Sequence, residues 1–445
     1  MKPTDVHTTI KKYMIADGEP IVFDMERSHG AYLVDALSGK EYIDFFTFFA
    51  SQPIGYNHPK MKDPEFLEKL TAAAVTKPSN SDIYTILMAE FVETFHRVAM
   101  QNGMEHLFLV SGGALAVENG LKTAFDWKIR KNMKAIAGAN GGVPLIDGLG
   151  SKVIHFREAF HGRSGYTLSL TNTDDPRKYM YFPKFDWPRI VNPKLRFPVD
   201  EHVLAEVKKE EEIALTQIET AVEQYPGDIA ALIIEPIQGE GGDNHFRPEF
   251  MAELRRLADE HDFLFIVDEI QSGMGVTGKM WAMEHHDVMP DIIAFGKKSQ
   301  VCGIIAGGRI DEVKGHVFEE SSRINSTWGG NLVDMVRSTR FLEIMEEEKL
   351  LEHTDKVGGK LLEGLETVAA ESKGMITNVR GKGFMVAFDL PDPAGRDDMM
   401  DRMKENGMYA LKSGAQSVRF RGMLDTPEEV AEEALKIVAA SIPLS

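Results

Sequence analysis

The chain has 445 residues and carries 50 basic against 69 acidic side chains, a formal net charge of −19. That length can bury a large core, expected as two domains of one body, and the acidic excess argues against nucleic acid or an anionic membrane as partner. A single cysteine, Cys302, excludes an intrachain disulfide and fits a reducing cytoplasm; no run approaches the roughly 18 apolar residues of a membrane span, and the opening MKPTDVHTTIKKYMIADGEP lacks the apolar core of a secretory signal.

Residues 21–46 alternate as strands do, and Ser38-Gly39-Lys40 between AYLVDA and EYIDF predicts a hairpin. The aromatic loop FFASQPIGYNHPKM follows, compatible with a subunit interface or with active-site lining. From about residue 60 the pattern is helical, through MKDPEFLEKLTAAAV and DIYTILMAEFVETFHRVAM. His106–Val110 reads as a strand, Ser111-Gly112-Gly113-Ala114 as a turn, and LAVENGLKTAFDWKIRK as a helix. Strand, glycine turn and helix N-terminus together suit a phosphate, because free N–H groups and the positive end of the helix dipole face the anion. A turn without a ligand has the same composition. KVIHF is another strand, and Arg157-Glu158-Ala159-Phe160-His161-Gly162-Arg163 comes after it. Phe160 is a flat ring able to stack on a heterocycle, or else a core residue; Arg163 offers a fork for a carboxylate, or else a surface cation. His161 has no second His or Cys at ligand spacing and His285-His286 are adjacent, so no metal is expected.

The charged run DEHVLAEVKKEEEIALTQIETAVEQ predicts a solvated helix, and Ile229–Ile234 a buried strand ending in Glu235-Pro236. Gln238-Gly239-Glu240-Gly241-Gly242 reads as a flexible acidic loop, with Glu240 facing a substrate cation, an arginine or solvent. Beyond the amphipathic helix MAELRRLADEHD lie two short apolar runs, Phe263–Val267 and Ile292–Phe295, each a candidate interior strand of a parallel sheet. They deliver Asp268-Glu269 and Gly296-Lys297-Lys298 to strand ends, where open α/β sheets bind ligands. An acid and an amine in one crevice suit pyridoxal 5′-phosphate (PLP): the amine forms a Schiff base and the carboxylate keeps the pyridine nitrogen protonated. A structural ion pair is the plain alternative. AGGRI and the polar loop Asn325-Ser326-Thr327-Trp328-Gly329-Gly330-Asn331 follow, then a long helical run from about Leu332 to Lys373. MITNVRGKGFMVAFDL predicts two strands, DDMMDRMKENG a helix, and SVRFRG a strand placing Arg419 and Arg421 on one side, a carboxylate site or a basic sheet face. Thr426-Pro427-Glu428-Glu429 has the form of a capping box opening the last helix.

The stretches SGGALAVENGLKTAFDWK, HFREAFHGRSGYTLSLTNT, IIEPIQGEGGDNHF, VDEIQSGMGVTGKMWAMEH, PDIIAFGKKSQVCG, INSTWGGN and SVRFR, taken with DMERSHGAYLVDALSGKEYIDFFTFFAS, resemble the class III PLP-dependent aminotransferases over nearly the whole chain. Within that class the chain resembles the lysine 6-aminotransferase group, which shares Ser111-Gly112-Gly113-Ala114 where the wider class typically has Ser-Gly-Ser-Glu. The resemblance implies an α/β chain of fold type I: a large domain with a mostly parallel doubly wound sheet and a small α/β domain built from both chain ends. Residues 1–60 would be the N-terminal segment contributing to the small domain and the interface, 61–331 the PLP-binding domain and 332–445 the C-terminal small domain. It implies transfer of the ε-amino group of L-lysine to 2-oxoglutarate by a ping-pong mechanism, in a cytoplasmic homodimer.

In that resemblance Lys297 is the Schiff-base lysine, Lys298 points elsewhere, Asp268 pairs with the pyridine nitrogen and Gln271 lies near the ring hydroxyl. Gly113 and Ala114 bind the phosphate with help from Thr327 of the partner subunit, and Phe160 stacks on the ring. Arg163 holds the α-carboxylate, Arg419 a second carboxylate, and Asn325 lies nearby. Glu240 would mask Arg419 while lysine reacts and swing away for the dicarboxylate, the neighbouring glycines giving the loop freedom to move. Lys297, as a proton carrier, needs a pKa depressed by burial and nearby positive charge. Gly422-Met423-Leu424-Asp425 replaces the Pro-Pro-Leu run frequent in relatives, which leaves the choice between Arg419 and Arg421 open. Another ω-aminotransferase, for ornithine, 4-aminobutyrate or a diamine, fits the same machinery; a PLP-binding protein without catalysis is the reading from another class.

Overall fold

The computed structural model describes residues 1–140 and 149–442. The predicted hairpin is present as β1 (Tyr32–Val34) and β2 (Glu41–Asp44), antiparallel with Tyr32 opposite Ile43. β3 (Met104–Val110), β4 (Lys152–Phe156), β5 (Arg189–Ile190) and β6 (Ile229–Ile234) come next. A small ribbon, β7 (Ile237–Gln238) and β8 (Asn244–His245), precedes β9 (Leu264–Asp268), β10 (Ile292–Phe295) and β11 (Cys302–Gly307). Seven of these strands form the main sheet in the order β3-β11-β10-β9-β6-β4-β5. From β10 to β5 every pairing is parallel, whereas β11 is antiparallel to both β10 and β3. Only residues 296–301 separate β10 from β11, too few for a crossover helix, so the chain returns in the opposite direction. The C-terminal ends of β3, β9 and β10 therefore share one edge.

β6, β9 and β10 are buried along their whole length because helices cover both faces. Alternate residues serve opposite cores. Leu232, Ile234, Phe265, Val267, Ile293 and Phe295 pack on one side with Leu254 and Leu257 of the helix Pro248–Glu260. Ala231, Ile233, Leu264, Ile266, Ile292 and Ala294 pack on the other with Val117, Leu121 and Trp127 of the helix Gly113–Asn140.

β12 (Thr377–Lys382), β13 (Met385–Asp389), β15 (Leu411–Ser413) and β16 (Ser417–Arg421) make an antiparallel sheet in the order β12-β13-β16-β15. β14 (Met408–Tyr409) pairs in parallel with β2, so the two ends of the chain share a sheet. Two local expectations fail. The helical run beyond Leu332 is two helices, Leu332–Glu347 and Leu350–Glu371, broken at Lys349, whose φ is 52°. Leu350, just beyond the break, is buried in the core. The last helix, Glu428–Ser441, has Pro427 at its N-cap; the Thr426 hydroxyl donates back to Met423 O (2.8 Å) and forms no capping box. Among the described residues no helix is long and apolar enough to cross a membrane.

Candidate active site

Register sets the centre of the crevice. Ala294 of β10 lies opposite Asp268 of β9, so the next turn of chain brings Lys297 to the same edge as the Asp268 carboxylate. Lys297 holds a left-handed backbone, φ 51°, a conformation that non-glycine residues adopt where surrounding structure compels it. Burial, and then the charges of Arg419 and Arg421, push its amine down to about 8, against the opposing pull of Asp268 and Glu235. Lys298 serves a different purpose: it is buried, and its ammonium donates to Gln52 O (2.8 Å) and Gly422 O (3.1 Å).

Asp268 is buried and held at both oxygens. Oδ1 accepts from the Ile270 N–H (3.0 Å) and Oδ2 lies 2.8 Å from His161 Nδ1, while His161 Nε2 is buried without a partner. Behind them sits Glu235, also buried, whose carboxylate accepts from the N–H groups of Phe160 (2.9 Å) and Gly239 (3.1 Å). Burial raises its pKa to about 7, with Asp268 adding to the rise and His161 opposing it. His161 and Glu235 were not singled out from sequence. Glu235 carried the same signal as Asp268, an acid at the end of a buried strand; nothing local announced that His161 would meet a carboxylate 107 residues away.

The glycine turn meets this edge. Gly112 has φ +115° with open space where a Cβ would stand, and a Cβ on Gly113 would lie 3.1 Å from Ile270. The helix starting at Gly113 leaves its first N–H groups, those of Gly113 and Ala114 among them, without intrahelical acceptors. Phe160 is half-buried, with Lys178 Nζ 5.9 Å from its ring centroid. Arg163 is exposed beside the short helix Gly165–Leu170. Asn325 and Thr327 stand apart, exposed on a loop tied through Thr327 O to Ser79 and Ser81.

β16 supplies both arginines, and as expected they face one way: Arg419 Nη1 (3.1 Å) and Arg421 Nη2 (2.8 Å) both donate to Gln271 Oε1. Gln271 is therefore engaged by the two guanidiniums. The two differ in their counter-ions. Arg421 is locked in a two-pronged pair with Asp243, at 2.7 and 2.6 Å. Arg419 Nη2 donates to Glu240 Oε2 (2.6 Å), and its Nε is buried with no partner. Glu240 Oε1 takes the Lys178 ammonium. Burial works against the Glu240 charge, but Arg419 and Lys178 outweigh it and hold the pKa below the usual value.

The loop that carries Glu240 is not flexible in the way its glycines suggest. Residues 239–243 are the turn of the β7–β8 ribbon, and their carbonyls are all taken: Gly239 O by Ser413 Oγ (2.6 Å), Glu240 O by Gly414 N (3.0 Å), Gly241 O by Asn244 Nδ2 (3.2 Å), Gly242 O (3.2 Å) and Asp243 O (3.0 Å) by Arg380 Nε. A side chain at Gly239 would strike the Gln271 amide and one at Gly241 the Glu158 carbonyl, so these glycines permit close approach.

Among the described residues one cluster of metal-ligand type forms elsewhere, where His106 Nε2 and His316 Nε2 lie 2.9 and 3.1 Å from Asp311 Oδ1. His316 Nδ1 accepts from the Phe318 N–H (3.3 Å), and its buried Nε2, although close to the carboxylate, makes no hydrogen bond.

The residues at the crevice fit PLP. A buried carboxylate fixed at both oxygens suits a pyridinium, a lysine with a depressed pKa suits an aldehyde, and a glycine-opened helix N-terminus suits a phosphate. A family model described as aminotransferase class-III matches residues 13–442. L-lysine-epsilon aminotransferase of Mycobacterium tuberculosis is 50% identical over 443 residues, 99% of this chain and 96% of the relative. The Streptomyces clavuligerus protein of that name is 48% identical over 440 residues, 98% of this chain and 94% of the relative. Among solved structures, lysine aminotransferase from M. tuberculosis is similar with a TM-score of 0.95 and 49% identity, covering 100% of this chain and 99% of the other.

Proposed function

The chain belongs to the class III aminotransferases, PLP-dependent enzymes of fold type I, and from that premise we propose that it transfers the ε-amino group of L-lysine to 2-oxoglutarate by a ping-pong mechanism. The products are 2-aminoadipate 6-semialdehyde and L-glutamate, and the working unit is a cytoplasmic homodimer. PLP, when bound, supplies a carbonyl that takes up the amino group and a protonated ring that delocalises the electrons of the broken C–H bond. Asp268, fixed by His161 and the Ile270 N–H, holds the proton of the ring nitrogen. The N–H groups of Gly113 and Ala114 hold the phosphate, with the partner subunit's Thr327. Phe160 covers one face of the ring, and Gln271 steadies both arginines beside it. Lys297, its amine brought down to about 8, carries the proton at the reacting carbon. Arg163 takes the carboxylate of lysine and one carboxylate of 2-oxoglutarate.

The observation that carries this reading is the Arg419–Glu240 pair at the crevice. A donor reacting through a terminal amine brings no carboxylate to the reacting carbon, so the arginine there is neutralised. A 2-oxo dicarboxylate does bring one, and needs Arg419 free. Single-turnover reactions with lysine, ornithine and 4-aminobutyrate, followed by mass analysis of each product, test the proposal. Lysine should react fastest and yield the 6-semialdehyde; a 2-oxo acid from lysine, or faster turnover of another donor, would overturn it.

A further inference from the structure

Glu240 lies between two cations. One carboxylate oxygen meets Arg419 Nη2 at 2.6 Å and the other meets the Lys178 ammonium. Backbone motion cannot separate Glu240 from Arg419 without breaking the bonds to Ser413, Gly414, Asn244 and Arg380 that occupy the carbonyls of residues 239–243. The movement that frees Arg419 is thus a rotation of the Glu240 side chain about its own bonds. A carboxylate turned away from its partner in a largely buried site is expensive unless a second cation receives it. Lys178 is in place to do that: it ends the short helical turn Pro176–Lys178, which Asp175 anchors by accepting from the Arg177 N–H (3.2 Å) and guanidinium (2.8 and 2.9 Å). Its side chain is mostly buried, and its ammonium rests near the Phe160 ring, so it stays inside the crevice.

We infer that Lys178 is a positioning residue that retains Glu240 when Arg419 is given over to the dicarboxylate, and so sets the balance between the two half-reactions. This rests on the reading that one crevice handles lysine and 2-oxoglutarate in turn. Without Lys178, Glu240 has Arg419 as its remaining partner and blocks the second substrate. With Lys178, release exchanges one ion pair for another and leaves no bare charge behind.

The test measures both half-reactions of the holoenzyme separately in wild type, Lys178→Met, Lys178→Arg, Glu240→Gln and the double variant Lys178→Met/Glu240→Gln. Lys178→Met should weaken 2-oxoglutarate binding about tenfold, the scale of one hydrogen bond between charged groups, and leave the lysine half-reaction within about twofold. Lys178→Arg should restore it. The double variant should bind 2-oxoglutarate no worse than Glu240→Gln alone, because Lys178 acts through Glu240. Equal losses in both half-reactions, failure of the arginine to rescue, or additive losses in the double variant would overturn the role of Lys178 while wild-type transfer from lysine to 2-oxoglutarate still stood. A wild type that performs no such transfer removes the parent reading and this one with it.

Discussion

Two ion pairs leave β16 two residues apart, on the same face, and differ in almost every physical respect. Arg421 and Asp243 are 0% and 1% exposed and joined by two parallel hydrogen bonds. Arg419 is as deeply buried, but Glu240 is 24% exposed, makes one bond to it, and divides its charge with Lys178. Both arginines share Gln271 Oε1, so the amide fixes their spacing. The first pair has no second state to go to: separating it strands a buried charge on each side. The second has an alternative partner and an arginine nitrogen in need of one, Nε. A salt bridge is structural or functional according to what else its members can reach, and the sequence spacing of these arginines says nothing about that.

Breaking the closed pair should have the largest effect. Asp243→Asn leaves Arg421 buried without its counter-charge and should lower unfolding free energy by about 3–5 kcal/mol in denaturant titrations; a loss no larger than that of Glu240→Gln would put the two pairs on the same footing. Glu240→Gln, measured the same way, should lower stability by less than Asp243→Asn, because Glu240 is partly exposed and makes one bond to Arg419 where Asp243 makes two to Arg421, yet shift the ratio of the two half-reaction rates; equal change in both would deny the pair its selective role. The smallest and most diagnostic effect is on pH. In the proposed mechanism the lysine half-reaction needs the neutral Lys297 amine, so its rate should rise with pH through about 8. Nearby positive charge disfavours the ammonium form, and removing it in Arg419→Gln lets the amine hold its proton to higher pH. The rising limb should therefore move toward alkaline pH; an unmoved limb would show that Arg419 does not act on Lys297 electrostatically.

Much of the centre is written locally. Apolar strands ending in Asp268 and before Lys297 are legible because parallel neighbours in a buried sheet bring such ends together, and the turn at Gly112-Gly113 announces a helix N-terminus. The antiparallel strand β11 was not anticipated, since the residues after Lys298 read only as a connection to the polar loop. What escapes are relations between distant segments. The partnership of His161 with Asp268 has no counterpart in spacing, and Asp243 reads as one more loop acid until Arg421 is seen against it. The glycines around Glu240 mislead for the same reason: they answer to Gln271 and Glu158, which approach from elsewhere in the fold.

Lys298 gives its neighbour Lys297 a footing. A single ammonium clasps a carbonyl from near the start of the chain, Gln52, and another from just beyond β16, Gly422, while its own backbone adjoins Lys297. Any hinge between the small sheet and the main one would have to stretch that clasp or carry it along. A displacement of the N-terminal segment or of the chain beyond β16 would thereby reach Lys297 through one peptide unit.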